Sequence, residues 1–301
     1  MGSLWIAATL IAAAAQTARN AAQSGLTARI GTLGATQVRF LFGLPFAALF
    51  LWLVTLGTGE SPPALTSAAL GYTALGAVAQ IGATALMLMT MQTSSFAVTT
   101  AWIKTEPVLV ALLAVLIIGD PLTWPKLLAI LVATTGVVIL STKPETARGM
   151  LRDWTPAATG LLAGLLFGLA AIGFRGGILG LPEGGFLIRA TTILVLSLAL
   201  QSAILLVWLA AFDRVALTAS FTVWRTSLLA GFLGAFASQF WFIGFSLTSA
   251  ANVRTLALVE VLMALAVSAW VFRQPVTARQ KLGMAVVVAG VGLLLAVQGA
   301  P

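Results

Sequence analysis

Few side chains in this sequence could do chemistry, and most of them sit where a charge is costly. Of the eight Asp and Glu residues, only Glu106 and Glu260 fall inside long apolar runs. Each lies about ten residues into its run, roughly 15 Å along a helix at 1.5 Å per residue. That is near the middle of a ~30 Å hydrocarbon core, where a charged side chain costs about 2.5–3.5 kcal/mol. Six basic residues are also placed away from loops: Arg19, Arg39, Lys104, Arg175, Arg189 and Arg254. Two roles for the acids follow. Each could pair with a buried cation from another helix, Arg39 or Arg189 being candidates, and lock the fold. Alternatively, one or both could titrate and couple transport to protons.

A zwitterionic solute would need a cation for its carboxylate and an acceptor for its ammonium. Lys104 or Arg254 fits the first need, and Glu106 or Asn252 the second. Gln80 and Gln239, inside their own apolar runs, could add hydrogen bonds. Trp102, Trp241, Phe240 and Phe242 could hold an apolar or aromatic body by stacking and cation–π contact, although packing alone explains any single ring. In the stretch AWIKTEPVLV, Lys104 and Glu106 are two residues apart and point about 200° from one another on a helix. They cannot simply pair, so each needs a partner on another helix or faces a cavity. Pro107 removes a backbone donor and crowds the carbonyl of residue 103, so a kink is expected there.

The elements that must position these groups are membrane helices. The chain has 301 residues, 60% of them hydrophobic and 8% charged, against about 25% charged in soluble domains. The class expected is all-α and integral to the membrane. With no Cys and no His, disulfides, thiol chemistry and nearly all zinc sites are excluded. No Walker motif and no acid cluster at a membrane face is present, so neither an enzyme nor a cofactor is expected.

Ten spans can be counted, near 4–24, 33–55, 67–91, 95–118, 123–141, 155–179, 184–210, 226–248, 250–272 and 278–297, with longer loops at 141–154 and 212–224. Loops on one side carry Arg29, Lys143, Arg148, Arg152, Arg214, Arg225, Arg273, Arg279 and Lys281, and those on the other only Lys126. By the positive-inside rule the first side is cytoplasmic and both termini are extracytoplasmic, in a multi-pass protein of the inner (plasma) membrane. The net charge of +8 therefore points to anionic lipid as partner and not to nucleic acid. The oligomeric state is not set by the sequence. Trp5, Trp52, Trp124, Trp154, Trp208, Trp224 and Trp270 fall near span ends and read as interfacial anchors. Gly160, Gly164 and Gly168 share one helix face and read as a packing stripe.

Shifting the chain by 154 residues lays TSSFAVTTAWIKTEPVLV over LTSAANVRTLALVEVLMA without a gap. Glu106 then meets Glu260, Pro121 meets Pro275, Thr123 meets Thr277 and Gly136 meets Gly290. Each unit, 1–145 and 146–301, holds five spans. An odd number sends the second copy across the membrane in the opposite sense, which gives two inverted five-helix repeats around a central cavity. Pro107 has no counterpart, since Val261 stands there, so the kink is expected in the first half alone.

The segments VRFLFGLPFA and TEPVLVALLAVLIIGDPLTWPKLLAILVATTGVVIL, with Pro107, Gly119-Asp120 and Gly136-Val137, resemble the drug/metabolite transporter superfamily, and within it the EamA-type carriers. The second half departs from that pattern at Val261 and Arg273-Gln274. The loop LGTGESPPALTS lacks the basic residues many of those carriers have. The resemblance implies a ten-helix basket and export of amino acids, aromatic or neutral, or similar metabolites, as in YddG-like aromatic amino-acid exporters. A multidrug or nucleotide-sugar-type carrier on the same fold is the alternative, and a channel is the remaining one.

Overall fold

Proline and glycine set several of the helix boundaries. Proline is tolerated in the first helical turn, where its missing N–H would have no partner. Glycine serves where the backbone turns left-handed. In a computed structural model, which describes residues 3–91, 102–141, 155–270 and 276–299, every regular element is a helix. Helix α1 runs over Leu4–Leu41 and is broken once, at Gly31 (φ 72°, ψ 173°). Arg19 before the break and Arg39 after it both reach Gly234, so the two limbs of α1 fold back toward one another. Helix α2 (Leu44–Thr58) starts on Pro45 and stops at left-handed Gly59, whose N–H donates to the Thr55 carbonyl at 2.9 Å. Helix α3 covers Ser67–Met91.

The fourth span is built differently. Helix α4 covers only Glu106–Leu113, with Pro107 in its first turn. A wider π-helical turn, Ala114–Ile118, extends it to left-handed Gly119 (φ 78°). Helix α5 (Trp124–Ser141) follows. The second half contains α6 (Thr155–Leu179), α7 (Phe186–Phe212), α8 (Arg214–Thr222), α9 (Trp224–Leu247), α10 (Ala250–Leu256), α11 (Val259–Trp270) and α12 (Ala278–Gly299). Residues 212–224, expected as a loop, are largely the short helix α8. The Asp213 carboxylate caps it by accepting from the Ala216 N–H at 3.0 Å.

Among the described residues six helices are long and apolar enough to cross a membrane, and Glu106–Ile118 and Trp124–Leu140 are shorter apolar ones. The loop cations Lys143, Arg148, Arg152 and Arg273, with Trp154, Pro275 and Gln274, lie outside the described residues. Trp52, Trp124, Trp208 and Trp224 are exposed on the outer surface. Trp5 is not an anchor of that kind: it is buried in the main core.

Close backbone approach holds the helices together, as expected where lipid and side chains are equally apolar. A methyl placed on Gly136 of α5 would sit 2.5 Å from the Val287 nitrogen, and one on Gly290 of α12 only 2.3 Å from the Ala133 nitrogen. Ala133 and Val287 are themselves 154 residues apart, as are the two glycines. One crossing point is thus made twice, with the roles of the two helices exchanged. In the same way α6 lies against α3 through Gly173 and Gly76, and α9 lies against α1 and the α1–α2 turn through Gly231 and Phe42. Gly164 and Gly168 of α6 pack on Ile103 and Val110.

Candidate functional site

Both spans that carry a buried acid are broken just before it. In the first half, Lys104 and Thr105 form a turn ahead of α4, and in the second Ala257 and Leu258 form one between α10 and α11. Tight three-residue hydrogen bonds close both breaks. Thr105 N–H donates to the Trp102 carbonyl at 3.1 Å, and Leu258 N–H to the Thr255 carbonyl at 3.2 Å. The expectation of a kink in the first half alone is therefore corrected: the second half breaks at the equivalent place without a proline. Each acid consequently lies in the first turn of a helix, where the macrodipole and unpaired N–H groups favour negative charge. Arg254 lies in the last turn of α10, where a cation is favoured.

The acids pair crosswise between the halves. Lys104 Nζ meets Glu260 Oε1. Arg254 Nε lies 3.0 Å from Glu106 Oε1, a charge contact without hydrogen-bond geometry. Arg39 and Arg189 are not the partners. Arg39 donates to Thr84 Oγ1 at 3.1 Å, and Arg189 to the Ile178 carbonyl at 2.6 and 3.0 Å. Arg39 therefore bonds across to α3, and Arg189 to a carbonyl of α6.

Polar contacts connect the two pairs into one chain. Gln16 Nε2 donates to Glu260 Oε2 at 3.0 Å, and Trp241 Nε1 donates to Gln16 Oε1 at 3.2 Å. The Arg254 guanidinium lies 4.9 Å from the Trp241 ring and 5.7 Å from the Phe245 ring. Running from Lys104 through Glu260, Gln16, Trp241 and Arg254 to Glu106, the chain joins α1, α4, α9, α10 and α11.

This chain walls a cavity of about 160 Å³. Among the expected binding residues, Lys104, Glu106, Gln80, Trp241 and Arg254 line it, with Glu260, Arg39 and Pro107. Trp102, Gln239 and Asn252 do not. Gln239 donates to Thr191 Oγ1 of α7 at 2.7 Å, and Asn252 to Thr248 Oγ1, just ahead of its own helix, at 2.8 Å. Phe242 lines the cavity and stacks on Phe174 at 4.8 Å, whereas Phe240 packs on Phe236 at 5.0 Å. Gln80 accepts from Gln201 Nε2 at 2.7 Å.

Residue-by-residue reading missed Gln16 and Asn20 altogether and gave Arg19 no role, although all three line the cavity. Their spacing carried the information: positions i, i+3 and i+4 put three polar side chains on one face of a membrane helix. A further pair, Arg175 with Asp120, is bidentate at 3.1 and 3.2 Å. Its Nη1 also donates to the Phe245 and Thr248 carbonyls at 2.6 Å each. Among the described residues no three His, Cys, Asp or Glu side chains gather as a metal site would require.

No curated protein matches the chain. A solved crystal structure, described only as that of a protein, matches with a TM-score of 0.67 at 12% identity, over 97% of each chain, so the two share a fold. Residues 2–142 match the EamA-like transporter family, and over that half the chain is similar to the drug/metabolite transporters.

Proposed function

We propose that the protein is a secondary transporter that exports amino acids, aromatic or neutral, or similar small metabolites across the inner membrane by alternating access. Its ten spans form two inverted five-helix repeats, residues 1–145 and 146–301. The observation that carries this reading is a small polar cavity lined from both halves, with each buried acid neutralised by a cation of the opposite half. Cross-half ion pairs at a repeat boundary are contacts that a rocking motion can keep or break. The doubled Gly136–Val287 and Gly290–Ala133 crossing supports the repeat. The match of residues 2–142 to a transporter family supports carriage of a small solute. The excess of basic loops on one side supports extracytoplasmic termini.

The cavity volume favours small solutes over the multidrug or nucleotide-sugar alternative. Its volume of about 160 Å³ is below the about 300–1,000 Å³ of pockets that take drug-sized ligands. The ion pairs favour a structural role for Glu106 and Glu260 over proton coupling, because both carboxylates already have a cation. Purified protein in liposomes should exchange a labelled small amino acid or metabolite against its unlabelled form, with a pH gradient adding little. Absence of counterflow for any small solute in verified folded protein would end the carrier reading. Gradient-driven transport that Glu106→Gln and Glu260→Gln both abolish would restore proton coupling.

A further inference from the structure

The cavity holds more positive charge than it neutralises. Four cationic side chains line it, Arg19, Arg39, Lys104 and Arg254, against two carboxylates, Glu106 and Glu260. Lys104 and Arg254 are spent on those carboxylates. Arg19 and Arg39 are 3% and 4% exposed, and neither has an anionic partner among the described residues. The remaining described acids are engaged elsewhere or lie at the surface: Asp120 binds Arg175, Glu60 accepts from the Gly185 N–H, Asp213 caps α8, and Glu183 is exposed.

Arg19 is the sharper case. Its Nη2 donates to Asn20 Oδ1 at 2.8 Å, but Nε and Nη1 are buried with no hydrogen-bond partner. Both are cationic donors on different sides of the guanidinium, each suited to one oxygen of an anion. The stems of Arg19 and Arg39 cross the same glycine: a methyl on Gly234 would lie 3.6 Å from Arg19 Cδ and 3.5 Å from Arg39 Cγ. Two arginine side chains thus approach one another in a buried wall of the cavity. Such an arrangement is costly unless an anion joins them.

We propose that the cavity binds a small organic anion, with Arg19 and Arg39 holding its oxyanion head group and Phe174, Trp241, Phe242 and Phe245 receiving an apolar or aromatic body. Each in-cavity carboxylate already faces a cation, so an ammonium group would have to compete with Lys104 and Arg254 for it. The preferred ligand therefore carries net negative charge and is not a zwitterion. The proposal narrows the transport reading from amino acids to anionic metabolites, and rests on that reading for passage of the ligand but not for binding.

The test is calorimetric binding to the full-length protein in detergent, with four aryl probes of similar size. Phenylacetate and phenyl phosphate carry the oxyanion, phenylalanine is a zwitterion, and phenethylamine is a cation. At least one of the two anions is expected to bind tenfold or more tightly than phenylalanine and phenethylamine, and comparison of the two anions separates a carboxylate site from a phosphate site. Arg19→Gln and Arg39→Gln should each weaken the preferred anion tenfold or more, while Arg19→Lys keeps most of the binding. Should either Gln variant fail to fold, the wild-type selectivity and Arg19→Lys still decide. Equal or tighter binding of phenylalanine or phenethylamine overturns the proposal, as does an unchanged anion affinity in folded Arg19→Gln. Counterflow in liposomes separates this from the transport reading. Anion binding without exchange counts against the carrier, and exchange of a neutral solute without anion binding counts against the anion site.

Discussion

The two halves of the molecule solve one problem with different residues. Each interrupts a span near its buried acid, and each places that acid in the first turn of the helix that follows. The first half has Pro107 at the break. In the second half Val261 stands there and its N–H donates to the Leu258 carbonyl at 3.1 Å. Proline is therefore compatible with the break but is not its cause. What the halves share is a carboxylate that gains from a helix N-terminus and from a cation on the other side of the repeat. The acid and its partner, not the imino acid, account for the geometry common to both.

The largest effect expected from breaking this symmetry is at the ion pairs. Lys104→Met leaves Glu260 buried with only Gln16, and Arg254→Met leaves Glu106 without its cation. Each should cost about 3–5 kcal/mol in unfolding measurements. The doubles Lys104→Met/Glu260→Met and Arg254→Met/Glu106→Met should regain at least half of that loss, because two hydrophobic side chains replace two charges. Purely additive doubles would show that the pairs are incidental neighbours.

A smaller effect is expected at the crossing of α5 and α12. Gly136→Ala and Gly290→Ala should each cost about 1–3 kcal/mol by overpacking and should match one another in Tm. Gly292→Ala, on the same helix but with open space at the added methyl, should be neutral or slightly stabilising. Unequal costs at Gly136 and Gly290 would break the equivalence of the two halves at this point.

The smallest effects should come from the breaks themselves. Val261→Pro should cost only about 1 kcal/mol, the value of one hydrogen bond, because the proline would enter a turn already formed. Pro107→Ala should change stability by roughly 0.5 kcal/mol or less and leave spin-label distances across the Lys104–Thr105 turn unchanged. A straightened fourth span in that variant would return the cause of the break to Pro107.

Much of this was legible before any coordinates. The depth of Glu106 and Glu260, their 154-residue spacing and the angle that keeps Lys104 from pairing with Glu106 all follow from counting residues. Choosing Arg39 and Arg189 as partners went wrong for a physical reason. Sequence gives the supply of cations but not which helix faces touch, and both arginines found oxygens other than carboxylates. Trp102, Gln239 and Asn252 were plausible by type and depth, yet none of them lines the cavity, and Gln239 and Asn252 donate to threonine hydroxyls outside it. The loop at 212–224 concealed a helix because its apolar content is too low for a span, while Asp213 still supplied a cap.

By itself the sequence determined the all-helical membrane class, the places where proline and glycine end helices, and the two buried acids. These depend on composition, backbone sterics and spacing, which are local. Only the tertiary structure decided that the ion pairs cross between the halves, that both acid-bearing spans break, and that Arg19 and Arg39 meet over Gly234 without a carboxylate partner among the described residues. Those outcomes depend on which backbones can approach most closely, and that is fixed by the glycine contacts among helices far apart in the chain.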